Sequence, residues 1–254
     1  MSSAVKLFSI ITLAFVFSSC QKDDVGDRLD VININWSEKP SPENLSLTFQ
    51  CSGGNFDCQN VLLSYSFHRT EKAFYLDFGK SYISPGQTCY QNTGYNTSSA
   101  KAYFDVDNIP NGSYRLEVSN QDEILHAALR IDNKTIFLDN GSSETVKFSQ
   151  QPLSALNRIP KDAVWGYATS NEASLPQLLD SLYSLGAVNY APLLESGYYS
   201  RFNIVDGNIT TYGYEDNDFI IKTALDTATL KNVMNSFNAS LEVSTGRGYN
   251  FSIH

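Results

Sequence analysis

Four cysteines, three histidines and 27 carboxylates are the residues of this chain with reactive potential. Cys20 directly follows an apolar stretch and stands apart. Cys51, Cys58 and Cys89 remain, and three thiols allow three single bridges with one left over. Cys51 and Cys58 flank Ser-Gly-Gly-Asn-Phe-Asp, a run expected to turn tightly, so a Cys51–Cys58 bridge is the first expectation. A metal site built from Cys51, Cys58 and Cys89 lacks paired CxxC spacing. His68, His126 and His254 are far apart, none at ligand spacing, and no Ser/His/Asp or Cys/His set accompanies them. A glycosidase pair needs carboxyls roughly 5–10 Å apart, a separation that spacing along a chain does not supply. Glu215-Asp216-Asn217-Asp218 concentrates acidic oxygens without the glycine and distal glutamate of a calcium-binding EF-hand loop. The expectation is therefore no metal, no cofactor and no enzymatic activity.

Two tyrosine-bearing segments point to recognition instead. The loop from Ser81 to Ser99 holds Tyr82, Tyr90 and Tyr95 among polar residues. A second segment, Tyr190 to Tyr199, carries Tyr198 and Tyr199 next to Arg201. Exposed tyrosine offers rigid amphipathic contact area on which sugar rings or peptides stack. The competing reading is tyrosine packed down onto a sheet.

The first nineteen residues have one charge, Lys6, followed by an apolar stretch from Leu7 to Phe17. A spanning helix needs about 20 apolar residues, so this segment is too short to cross a bilayer. A basic start, a short apolar centre and the small residues Ser18 and Ser19 read as a secretory signal over 1–19. With Cys20 next, the segment resembles the lipobox of bacterial lipoproteins, although Phe17 stands where that family usually has leucine. The resemblance implies cleavage before Cys20, lipidation of Cys20 with palmitate among its acyl chains, and a flexible tether over 20–30. Gln21-Lys22-Asp23-Asp24 is similar to the export signal of Bacteroidota-type surface lipoproteins, which implies an outer-membrane protein facing the cell exterior. Loss of Lys6 takes the net charge from −9 to −10. So acidic a chain repels nucleic acid.

From Val31 to about Gln151 the pattern is β. Val31–Trp36, Leu45–Phe49, Ala102–Val106, Tyr114–Val118 and Leu125–Ile131 are among nine short runs separated by Gly, Pro, Asn and Asp, which reads as a β-sandwich over 31–151. Phe104 to Val118 contains Pro110-Asn-Gly-Ser-Tyr114 and resembles the strand–turn–strand of transthyretin-like and immunoglobulin-like sandwich modules. That resemblance concerns fold alone. Residues 152–161, bounded by two prolines, read as a linker.

Helical periods appear only after it. Leu175, Leu178, Leu179, Leu182 and Tyr183 form one stripe, with Ser174 as N-cap. Leu230, Val233, Met234 and Phe237 form another behind Asp226. Asp206-Gly207 predicts a type I′ hairpin. Residues 162–254 thus read as an antiparallel sheet with two helices, ferredoxin-like with a strand too many. The fold class expected is mainly β with α+β.

These observations lead to a membrane-anchored, non-enzymatic surface module that binds a glycan, a peptide or a partner protein. The alternatives are an envelope hydrolase with a carboxylate site and an inhibitor or immunity-type lipoprotein. The anchor has a direct check: Cys20→Ser should release the protein from the membrane fraction, and retained attachment would remove the lipid assignment.

Overall fold

The computed structural model describes residues 25–42, 44–92, 96–139, 141, 143–148, 155–170, 174–211, 217–237 and 240–253. Cys20, Tyr95, His254 and the acidic pair Glu215–Asp216 lie outside them. The chain is mainly β with two helices, as expected.

Ten strands form the first unit: β1 (Ile32–Lys39), β2 (Leu45–Phe56), β3 (Leu62–Arg69), β4 (Ala73–Tyr82), β5 (Ser98–Ile109), β6 (Gly112–Asn120), β7 (Glu123–Ile131), β8 (Thr135–Asp139), β9 (Val146–Phe148) and β10 (Ala155–Asn157). Their order is β10-β8-β7-β6-β4-β3-β5-β2-β1-β9. β3 and β5 share one bridge, Leu62 to Lys101. The ladder therefore behaves as two layers joined at a corner. Farther along, side chains replace the backbone ladder: Arg69 donates to the carbonyls of Asp107 and Asn108 at 2.9 and 3.0 Å. One apolar cluster fills the space between the layers, with Ile32, Ile34, Leu47, Phe78, Ala102, Val118, Leu129, Leu138 and Leu156 in it. Period-two alternation explains this, since each strand turns every second side chain inward. Tyr114 closes the β5–β6 turn by donating its hydroxyl to the Pro110 carbonyl at 2.7 Å.

Two expectations need correction. The segment taken as a linker contributes β10, which pairs with β8 through Ala155–Phe137, Leu156–Ile136 and Asn157–Thr135. The bridge is not Cys51–Cys58. Cys58 joins Cys89, with Cα atoms 5.2 Å apart, and Cys51 is a buried free thiol. The Ser-Gly-Gly-Asn-Phe run does not turn; β2 continues through it, with a register shift between Gly53 and Phe56 where Gly54 takes φ 71°. Each strand residue advances the chain about 3.3 Å, so thiols seven residues apart on such a path are too distant to bond. Burial pushes the Cys51 thiol up to about 12.

The second unit comprises β11 (Ala163–Ser170), α1 (Leu175–Ser184), β12 (Val188–Asn189), β13 (Gly197–Tyr198), β14 (Phe202–Val205), β15 (Asn208–Thr211), β16 (Asp218–Lys222), α2 (Thr227–Asn235), β17 (Ser240–Thr245) and β18 (Asn250–Ile253). The antiparallel order β12-β16-β11-β17-β18 is the split βαβ arrangement with one extra edge strand. A separate sheet, β13-β14-β15, is inserted between β12 and β16. The Asp206-Gly207 hairpin forms as expected, with φ 49° and 76°. Asp226 caps α2 by accepting from the Thr229 amide at 2.9 Å, whereas Ser174 makes no side-chain cap.

β11 and β16 are buried on both faces. Val164, Phe219 and Ile221 pack with Leu178, Leu182, Leu230 and Met234 of the helices. Ala163, Trp165 and Ile220 pack on the opposite side with Tyr199, Phe202 and Ile204 of the insertion. That accounts for consecutive rather than alternating apolar residues.

The cysteine assignment has a measurable consequence. Closing a loop of 31 residues' separation constrains the unfolded chain, so breaking Cys58–Cys89 should cost about 3–4 kcal/mol in urea unfolding. Peptide mapping should recover Cys58 linked to Cys89, with Cys51 alkylated only after denaturation; a Cys51 disulfide would refute the assignment.

Candidate functional site

Three turns of the sandwich lie at one end: β1–β2, β5–β6 and β7–β8. They supply Asn44, Asn111 and Asn133, and the end of β10 supplies Asn157. All four line a cleft of about 650 Å³ between the two units. Its apolar floor includes Leu45, Ile109 and Ile159, and the second unit closes it with Tyr190, Leu194 and Tyr199. The volume falls in the range of small-ligand sites, roughly 300–1,000 Å³.

Beneath the floor lies a buried carboxylate. β1 places Ile32, Ile34, Trp36 and Glu38 in successive inward positions, and Glu38 is 4% exposed. Its two oxygens accept from Arg158 Nε at 3.1 Å and from the Ile159 amide at 2.7 Å. Burial holds the Glu38 carboxyl above its usual range; the Ile159 amide and Arg158 act against that shift without cancelling it. The Glu38 amide donates to Ser200 Oγ at 2.8 Å. Arg158 Nη1 donates to the Asp132 carbonyl at 2.8 Å and to Asn111 Oδ1 at 3.3 Å. Asn111 in turn donates to Asn133 Oδ1 at 2.6 Å.

The β7–β8 turn that presents Asn133 is braced locally. Asp132 accepts from the amides of Lys134 and Thr135, both at 2.7 Å, and these bonds hold its carboxyl below the usual aspartate range. Across the mouth, Lys134 meets Glu195 at 3.0 Å, an exposed pair of little energetic weight.

On the facing wall the Tyr199 ring is buried, stacked on Phe202 with centroids 4.9 Å apart, and its hydroxyl donates to the Glu195 carbonyl at 2.9 Å. Tyr190 donates to Asp162 Oδ1 at 3.1 Å. Burial first, and then the neighbouring carboxylate, pushes both phenols up to about 12, so they act as neutral donors.

Of the tyrosine-bearing segments singled out in the sequence, the second reaches this cleft, through Tyr190 and Tyr199. Tyr198 is half-buried and donates to the Ser200 carbonyl at 3.2 Å. Arg201 borders a different cavity with Trp165 and Tyr167. Ser200, at φ 62°, turns the chain between them. Tyr82 and Tyr90 are exposed and sit beside the Asn60–Leu62 segment, away from the cleft lining. Asp218 accepts two bonds from Thr211, at 2.5 Å each. Among the described residues no group of His, Cys, Asp or Glu is arranged to hold a metal ion, and no helix is long and apolar enough to cross a membrane.

The four asparagines, Arg158 and Glu38 were not candidates on sequence grounds. The signal for Glu38 was present: it extends the Ile32, Ile34, Trp36 alternation by one step. Asn44, Asn111 and Asn133 begin Asn-x-Ser/Thr triplets, but such triplets are scattered along the chain and reflect its abundance of Asn, Ser and Thr. No known family, curated protein or solved structure matches the chain significantly, so its chemistry must be read from the cleft itself.

Arg158 and Ser200 should be structurally demanding. Arg158→Ala leaves Glu38 buried without its counter-charge and should cost about 3–5 kcal/mol. Ser200→Ala leaves the Glu38 amide without its acceptor and should cost about 1–3 kcal/mol. Urea unfolding measures both, and losses below about 0.5 kcal/mol would show that these bonds do not hold the joint.

Proposed function

We propose that this chain is a non-enzymatic binding module, tethered to the outer membrane through lipid on Cys20, whose inter-unit cleft receives a stretch of glycan. The observation that carries the reading is the convergence of Asn44, Asn111, Asn133 and Asn157 on one cleft with an apolar floor. A carboxamide offers two donors and one acceptor side by side, which suits the adjacent hydroxyls of a sugar. Sugars also present apolar C–H faces, for which Ile159, Leu194 and Tyr190 provide a surface.

A hydrolase working through carboxyls would need two flanking the bond to be cut. Among the described residues the lining contains one carboxylate, Glu195, which is engaged by Lys134. Of the acids around it, Glu38 is buried, Asp132 is bound by the amides of Lys134 and Thr135, and Asp162 is bound by Tyr190 and Lys222. Binding is accordingly favoured over hydrolysis. The net charge of −9 favours a neutral polymer over nucleic acid.

Glycan arrays followed by calorimetry test the proposal. Asn44 and Asn133 are exposed, so Asn44→Ala and Asn133→Ala should each weaken binding about tenfold, the equivalent of one hydrogen bond, with thermal unfolding unchanged. Tyr82→Ala and Tyr90→Ala should leave affinity unaltered. An array without a hit, or a hit indifferent to both asparagine variants, would dismiss the cleft.

A further inference from the structure

We propose that Glu38, which does not border the cleft, is a positioning residue for its asparagine wall and makes ligand capture depend on its own ionisation. The path is continuous: Glu38 Oε1 to Arg158 Nε at 3.1 Å, Arg158 Nη1 to Asn111 Oδ1 at 3.3 Å, and Asn111 Nδ2 to Asn133 Oδ1 at 2.6 Å. A guanidinium is a rigid planar fork, so fixing one arm aims the others. The carboxylate at Nε and the Asp132 carbonyl at Nη1, 2.8 Å away, hold that plane, and the plane orients Asn111. Protonation of Glu38 removes the counter-charge from one arm and frees the fork to tilt. The side chains of Asn44 and Asn157 line the same cleft without a hydrogen bond to the Arg158 guanidinium and provide internal controls.

The charged surroundings are few. Arg158 is the charged group that faces Glu38, at 3.1 Å. Asp132 acts on Arg158 from the β7–β8 turn, but its carboxyl is held low and titrates in a more acidic window. Lys134 and Glu195 pair at the mouth. Next along β1, Lys39 binds Asp105 on the outer surface. None of these differs between the protein and a Glu38→Gln variant, so the difference between the two isolates Glu38.

The sign of the effect is specific. Because burial raises the Glu38 carboxyl in the folded state, its contribution to stability is complete at low pH. That contribution is lost as pH rises through the folded value. Ligand affinity should move the other way, since the ionised form is the one that holds Arg158. Stability falling while affinity rises is a pattern that general acid unfolding does not produce.

The inference about ligand rests on the glycan reading, whereas the inference about the wall does not, and the experiment separates them. Side-chain amide resonances of all four asparagines are followed by nitrogen–proton correlation NMR from about pH 4 to 8. Those of Asn111 and Asn133 should shift with one shared midpoint above the usual glutamate range. Glu38→Gln should abolish that midpoint and leave Asn44 and Asn157 as they were. Should Glu38→Gln fail to fold, Arg158→Lys serves, because an ammonium retains the charge but cannot span Glu38 and Asn111 together; the shared midpoint should vanish there too. Persistence of the midpoint in either folded variant overturns the proposal. Any glycan found on the array should bind Glu38→Gln about tenfold more weakly near neutral pH and without pH dependence. A lost midpoint with no glycan bound would retain the positioning role and discard the glycan; unchanged pH dependence of glycan binding would do the reverse.

Discussion

A carboxylate taken out of water must be met by partners inside the protein, and Glu38 imposes that requirement on the joint between the two units. Desolvation costs several kcal/mol per ion, and a lone arginine rarely compensates it without further donors. Here the Ile159 amide is the second donor. Both partners come from the segment that leaves β10 for the second unit, and the Glu38 backbone engages Ser200 of the insertion. One residue of β1 therefore specifies where two separate pieces of chain must lie. Apolar residues of equal volume often match a buried pair in stability, but they lack its directional bonds.

The joint matters because the two helices cover only one face of the five-stranded sheet. Two helices cover one face, which accounts for Val164, Phe219 and Ile221. Trp165 and Ile220 on the other face need the β13-β14-β15 insertion, and Ile159 packs into the same cluster. The insertion is thereby pressed against the end of the sandwich, where three turns project. A cleft results wherever polar turns meet a wall that is apolar for packing reasons, a common origin of ligand sites between units.

Much of this was legible in the residues. Alternation located the strands, the stripes through Leu178 and Leu230 located the helices, and Asp206-Gly207 located a hairpin. The cysteines misled because Ser-Gly-Gly-Asn resembles turn composition, whereas two glycines in a strand also serve a bulge, and Gly53 lies where a Cβ would come within 2.4 Å of the Val31 carbonyl. Local sequence does not distinguish these uses. The cleft was illegible for a different reason: its asparagines come from segments up to 113 residues apart, Asn44 to Asn157, and nothing local records that they meet. Tyr199 and Arg201 read as one surface on paper, yet they serve two cavities.

Their separation comes down to Ser200. A non-glycine residue at φ 62° costs about 1–2 kcal/mol in backbone energy, and glycine would remove that cost. Glycine would also delete the hydroxyl that satisfies the buried Glu38 amide, worth about 1–3 kcal/mol when its loss leaves the donor stranded. The two quantities are of similar size, so the hydroxyl of serine offsets the backbone strain at this bend. The strained turn that directs Tyr199 into the cleft and Arg201 away from it is thus maintained by the same β1 residue whose carboxylate holds Arg158. Both walls of the cleft are referred to one strand, through the backbone of Glu38 on one side and its side chain on the other.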